Sequence, residues 1–158
     1  MNRVAVKAEE VPLPPWIDYL SNYIVKVLNI LDKDNWDVSV LLCNDSYIRG
    51  LNTQYRGKDE ATDILSFPLG ETVLSEGEEK RYLPGDLVIS LETLEENARY
   101  FGVSPDEELR RLLIHGILHL DGMDHKNNEP AEPMLIFQEK LLAGLGAERV
   151  MMNMGKSV

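Results

Sequence analysis

Ser104-Pro105-Asp106-Glu107-Glu108-Leu109-Arg110-Arg111-Leu112-Leu113-Ile114-His115-Gly116-Ile117-Leu118-His119-Leu120-Asp121-Gly122-Met123-Asp124-His125 is the stretch on which the reading of this chain turns. It opens with a strong helix start: a serine cap, proline at the first helical position and an acid three residues after the cap. The helix is expected to run to about Leu120 and to stop at Gly122. All three histidines of the 158-residue chain fall inside this stretch. His115 and His119 are four residues apart, so they project from one helix face one turn apart and two imidazoles can converge on one ion. Gly122 lets the chain leave the helix in a left-handed turn, which allows His125 to fold back with a third nitrogen. Three imidazoles leave one position of a tetrahedral Zn²⁺ open, the arrangement of a catalytic site rather than a closed structural one. A closed site would need a fourth protein ligand, and the only thiol, Cys43, sits in an apolar predicted strand where it reads as a small core residue.

Working outward, Val4 and Val6 alternate with charged neighbours as a short strand, ended by Pro12, Pro14 and Pro15. Trp16, Ile17, Leu20, Ile24, Val27, Leu28 and Leu31 recur at helical spacing. Trp36 to Cys43 reads as a mostly buried strand. Asn44-Asp45-Ser46 caps a short helix carrying Ile48, Leu51, Asn52 and Tyr55, with Gly57 at its end. Residues 61–68 form a third strand, whose pairing Pro68 is expected to limit. Gly70 to Arg81 is acidic and weakly patterned, and is read as an exposed loop. Gly85 to Ser90 is a fourth strand, with Asp86 in a turn role at its start. Helices follow over Leu91–Phe101, from Pro105, and over Glu129–Leu142, and the tail from Met151 is expected to fray. Strands and helices interleave without repeats or linkers, giving one α/β or α+β domain over residues 1–158 with a single mostly buried sheet.

Composition narrows the function classes. Hydrophobic residues make up 44% and charged residues 27%, a globular balance. No apolar run reaches the ~18–20 residues that span a bilayer, and no secretory signal is visible. A lone cysteine suits a reducing cytosol. Acids outnumber bases 27 to 16, for a formal net charge of −11. That charge opposes bulk electrostatic binding to DNA, RNA or an anionic membrane, while leaving room for a local positive cleft.

The spacing His-x-x-x-His-x-x-Gly-x-x-His is that of the metzincin peptidases, which place a glutamate general base directly after the first histidine. Here that position is Gly116, so a peptidase reading lacks its base, and the general base of any reaction at this site is unassigned. The same stretch, His115 to His125, resembles the signature of the YbeY family of bacterial rRNA-maturation endoribonucleases. Two further blocks carry the resemblance in the same order: Leu51-Asn52-Thr53-Gln54-Tyr55-Arg56-Gly57-Lys58 with Thr62-Asp63-Ile64-Leu65-Ser66-Phe67-Pro68, and Gly85-Asp86-Leu87-Val88-Ile89-Ser90. Met123 stands where the family commonly has an aromatic, and Ala61 where it commonly has a proline.

The resemblance implies an α+β fold, a small mixed four-stranded sheet with helices packed around it. It implies a zinc-dependent, single-strand-specific endoribonuclease in 16S rRNA 3′-end maturation and ribosome quality control, in the cytoplasm. His115, His119 and His125 are then the ligands of one Zn²⁺ per chain, and Arg56 the functional arginine. On its own residues, Arg56 lies at a helix end, where a guanidinium can grip a phosphate bidentately or merely complement the helix dipole. Lys58 is a further phosphate candidate. Asp63 is a cap or an outer-shell carboxylate, and Asp124, like Asp121, is either an imidazole partner or an exposed turn acid. The partners implied are single-stranded rRNA and the small ribosomal subunit with its proteins, to whose basic surfaces the acidic body would be shown. Neither DNA nor membrane is expected. Two other classes stay open: a metallopeptidase-like hydrolase, and a non-catalytic ribosome-assembly factor with a structural metal.

Overall fold

The computed structural model describes residues 1–74, 77 and 79–152. Nine elements follow one another: β1 (Arg3–Ala8), α1 (Ile17–Ile30), β2 (Asp37–Cys43), α2 (Asp45–Arg56), β3 (Ile64–Leu74), β4 (Lys80–Ser90), α3 (Leu91–Phe101), α4 (Pro105–Leu120) and α5 (Pro133–Gly144). The architecture is α+β, with a mixed sheet in the order β1-β2-β4-β3. β1, β2 and β4 run parallel, and β3 pairs antiparallel with β4 at the edge.

The local signals work as their chemistry dictates. The Asn44, Ser90 and Ser104 side chains each accept a hydrogen bond from the backbone N–H three residues on, capping α2, α3 and α4. Gly57 and Gly102 adopt left-handed conformations at the ends of α2 and α3. One sheet face buries the main core against α1 and α4, through Leu20, Ile24, Val38, Val40, Leu87, Ile89, Leu113 and Ile117. The other carries a smaller cluster under α2, of Cys43, Ile48, Leu65 and Val88. Cys43 is fully buried there, and burial pushes its thiol pKa up to about 12.

Several expectations are corrected. Much of the stretch from Gly70 to Arg81 is strand rather than loop: Glu71, Thr72, Val73 and Leu74 of β3 pair with Leu83, Tyr82, Arg81 and Lys80 of β4, while residues 75, 76 and 78 lie outside the described residues. Pairing survives Pro68 through a bulge, where Leu69 and Gly70 stand opposite Pro84 and Gly70 takes a φ of +70°. Residues 71–74 are exposed on both strand faces, so no alternation of polarity marks them. Arg81 ends in the core at 1% exposure, forked onto Asp37 at 2.6 and 3.3 Å and bonded to Asn35 Oδ1 at 3.1 Å. The last helix begins at Pro133, because Glu132 before that proline is held extended (ψ 129°). At the end of the described chain the Val150 and Met151 N–H groups both donate to Asp106 Oδ1, at 2.7 and 2.8 Å. Residues 153–158, the rest of the tail expected to fray, lie outside the described residues.

Asp86 lies inside β4, opposite Phe67 and Ser39, rather than in a turn. The preceding Gly85 has a φ of +140°, and a Cβ there would lie 2.1 Å from the Phe67 carbonyl oxygen and 3.0 Å from Leu120 Cδ2. The carbonyl is ladder backbone and has no room to move. Gly85→Ala is therefore expected to destabilise the protein by about 3 kcal/mol or more, from backbone strain plus overpacking. Chemical denaturation is the check, with a loss under about 1 kcal/mol counting against this packing.

Candidate metal centre

The site begins with how α4 lies on the sheet. Gly116 is buried, and a Cβ added to it would meet Leu87 Cδ2 at 2.7 Å and Ile64 Cδ1 at 3.0 Å. A bare backbone at this position lets α4 come down directly onto β3 and β4. With Gly116 turned into the sheet, His115 is rotated about 100° around the helix and faces the adjoining cleft. His119 follows one turn later on the same face. The helix ends at Asp121, and Gly122, with φ +91°, turns the chain so that His125 returns to the same point.

The three imidazoles offer ring nitrogens that all lie within 4.8 Å of one another. The Nε2 atoms of His115 and His119 are 3.1 Å apart. Each ring's Nδ1 faces a carbonyl oxygen: Gln138 Oε1 at 2.6 Å from His115, Met123 O at 3.1 Å from His119, and Asn127 O at 2.8 Å from His125. A carbonyl oxygen only accepts, so each Nδ1 carries the proton and each Nε2 is left with a bare lone pair. Two bare lone pairs 3.1 Å apart repel unless a cation lies between them. Nitrogens bound to one tetrahedral Zn²⁺ at 2.0–2.1 Å stand roughly 3.3 Å apart, close to that spacing. The donor set therefore fits a divalent metal held by His115, His119 and His125.

Electrostatics favours the same state. Burial lowers the pKa of His115, against the bond to Gln138, which raises it. Burial also lowers that of His119, reinforced by the neighbouring His115 and His125. Neutral rings are the form that ligates.

These histidines line a cleft of about 630 Å³ together with Arg56, Asp63, Ile64, Ser66, Pro68, Gly122, Met123 and Asp124. Arg56 reaches it from the C-terminal end of α2, where its Nη2 donates to Ser66 O at 3.4 Å. Arg49, Arg81, Arg110 and Arg111 are each paired with carboxylates. Arg56 has no such pair among the described residues, so most of its guanidinium donors are open to the cleft.

The other sequence candidates are placed as follows. Asp63 lines the cleft, but its carboxylate accepts from the Ile64 N–H at 2.7 Å and from Asn97 Nδ2 at 3.2 Å, which suits a structural cap. Asp124 lines it too and accepts the His125 backbone N–H at 2.8 Å, so it shapes the turn rather than orienting a ring. Asp121 is drawn away into an ion pair with Lys33 at 2.9 Å. Lys58 does not line the cleft; its backbone N–H closes the end of α2 on Asn52 O. Sequence reasoning missed Gln138. The signal for it was a glutamine on the buried face of α5, in register with Met134, Leu141 and Leu142.

The structure agrees with known proteins along nearly its whole length. Residues 4–146 match the family model described as Endoribonuclease YbeY. The chain is 48% identical over 143 residues to a Treponema denticola protein named Endoribonuclease YbeY, covering 89% of this chain and 92% of the relative. It is 46% identical over 136 residues to a protein of the same name from Borrelia turicatae, covering 85% and 89%. Among solved structures, the solution structure of TM1509 from Thermotoga maritima aligns with a TM-score of 0.56 at 28% identity, over 98% of this chain and 99% of that one. With these matches and the three-histidine cleft set on the sheet, the chain belongs to the family described as Endoribonuclease YbeY.

Proposed function

We propose that this protein is a zinc-dependent endoribonuclease that cuts single-stranded RNA, acting in the cytoplasm in 16S rRNA 3′-end maturation and ribosome quality control. The observation that carries the reading is the meeting of three bare imidazole nitrogens with an arginine that has no carboxylate partner among the described residues, in one cleft of an acidic protein. The relatives' shared name, Endoribonuclease YbeY, supports the reaction class.

His115, His119 and His125 would hold the ion. When bound, it supplies a Lewis-acid charge and lowers the pKa of water at the site. Arg56 grips the scissile phosphate through its open donors and stabilises the charge that builds on the non-bridging oxygens. The carbonyl oxygens of Gln138, Met123 and Asn127 keep the three rings aimed. Asp63 and Asp124 also line the cleft, so its positive charge would come from Arg56 and the ion. A peptidase reading fares worse, because position 116, where a metzincin carries its base, faces Leu87 and Ile64 and has no room for a side chain.

The partners we propose are rRNA and the small ribosomal subunit. A net charge of −11 gives the isolated protein little general affinity for RNA and a body suited to basic ribosomal proteins.

Purified protein is expected to hold about one zinc per chain, and folded His119→Ala to lose it together with RNA cleavage. Arg56→Ala should keep the zinc but cleave about 10²–10³-fold more slowly, the usual loss for one donor to developing charge. Activity that fails to track these variants marks a contaminating nuclease. Ribosome association lost in His115→Ala with no separable cleavage defect marks an assembly factor instead.

Acid should strip the metal. With the folded-state pKa values of His115 and His119 depressed, the unfolded chain takes up protons first as pH falls below about 6.5. Apo-protein stability therefore falls from there downward, until the folded values are passed. Metal retention is expected near pH 7–8 and release as the ligands protonate below about pH 6. Zinc content unchanged after equilibration near pH 4.5 would exclude ligation by these histidines.

A further inference from the structure

The geometry points to Gln138 as a positioning residue for His115: its amide, locked in one orientation by Glu139, fixes the ring's tautomer and aim and so sets metal affinity. This rests on the reading of the three histidines as metal ligands.

Gln138 is 6% exposed and comes from α5, more than 20 positions along the chain from the ring it serves. Its Oε1 lies 2.6 Å from His115 Nδ1. Its Nε2 donates to Glu139 Oε2 at 3.1 Å. The second bond decides the first. A carboxylate cannot accept from a carbonyl, so the NH₂ end of the amide is committed to Glu139 and the oxygen end is left for the imidazole. Glu139 is itself held in place by Arg111, whose Nε and Nη2 reach its two oxygens at 3.0 and 3.1 Å, a bidentate pair. Arg111 stands on α4 one turn before His115 and is held from its other side by Glu107 at 3.2 Å. A closed chain of contacts thus leaves α4 at Arg111, crosses to α5 and returns to α4 at His115.

The position calls for an amide. It needs an acceptor for the ring N–H and a donor for the neighbouring carboxylate, and the Gln138 amide offers the two on separate atoms at the reach that α5 requires. A glutamate here would satisfy the ring but place two carboxylates side by side. A leucine would fit the apolar face of α5 and leave the ring N–H without a partner.

The test is competitive Zn²⁺ binding against a chromophoric chelator, on wild type, Gln138→Leu, Glu139→Ala and Lys140→Ala. It is paired with ¹⁵N spectra of the His115 ring in metal-free protein. Gln138→Leu is expected to bind zinc about 10–100-fold more weakly, the usual effect of removing a ligand's hydrogen-bond partner. Glu139→Ala touches no histidine and lies on an exposed position, so it should fold; it is expected to weaken binding in the same direction but less. Lys140→Ala should match wild type. The His115 ring should show the Nδ1–H form alone in wild type and a mixture of tautomers in Gln138→Leu. A folded Gln138→Leu with wild-type zinc affinity and a pure Nδ1–H ring overturns the assignment. If wild type binds no zinc, the metal reading fails, and the ring spectra of metal-free protein still decide whether Gln138 sets the tautomer.

Discussion

The approach of α4 to the sheet at Gly116 is the constraint on which the rest depends. An α-helix can turn only one face towards a neighbour, and the residue that touches most closely fixes which face that is. Here the touching residue has no side chain, and even one added carbon would lie 2.7 Å from Leu87 Cδ2. The helix is therefore set in rotation as well as in depth. Leu109, Leu113 and Ile117 fall on the buried side, all fully excluded from solvent. Glu108, Arg111, His115 and His119, spaced three, four and four apart, fall along a polar stripe beside it. The metal face of the helix is the complement of its packing face, and neither could be changed without moving the other.

The same economy explains how much could be read from the chain before its fold was known. The ends of α2 and the start of α4 were legible because capping chemistry is local: Asn44 and Ser104 accept from N–H groups three residues away, and Gly57 turns left-handed at the end of α2. The three histidines were legible because their convergence depends on one helix turn and one glycine. The hairpin arm was not. Residues 71–74 are exposed on both faces, so no hydrophobic period marks them, and Pro68, Gly70 and Pro84 look like strand breakers when they in fact form and flank a bulge. Arg81 illustrates the reverse failure. A charged residue in an acidic stretch reads as solvated, and only the fold reveals that Asp37, from β2, meets it in the interior. Gln138 escaped for a third reason: its partner lies on another helix, and no spacing rule connects them.

Charge follows a similar logic. A chain with net charge −11 has carboxylates to spare, and in this fold they take up most arginines within reach: Arg49 by Asp59, Arg81 by Asp37, Arg110 by Asp106, Arg111 by Glu139 and Glu107. Such pairs contribute little to stability at the surface. Their larger consequence is that the positive field they might have projected is cancelled where it arises. Among the described residues Arg56, like Arg99 and Arg149, has no carboxylate pair, and β3 gives it the Ser66 carbonyl oxygen. In a body of this charge, one uncancelled guanidinium beside a site for a dication makes the cleft electrically unlike its surroundings.

The candidate metal site is also less local than its motif suggests. Two of the three ring N–H groups find their acceptors on carbonyls immediately around the motif, at Met123 and Asn127. The third, on His115, depends on α5. The segment beyond α5 returns to the other end of α4, where Asp106 accepts the N–H groups of Val150 and Met151. The C-terminal part of the chain thus grips α4 at both its first turn and its metal-bearing turns. The eleven residues from His115 to His125 grafted elsewhere would carry three imidazoles and only one of their acceptors, at Met123, and His115 would be free to rotate and to exchange tautomers. Loosening α5 would reach the ligand set without touching a ligand. The C-terminal helix and the three-histidine group are joined through the contact of Gln138 with His115.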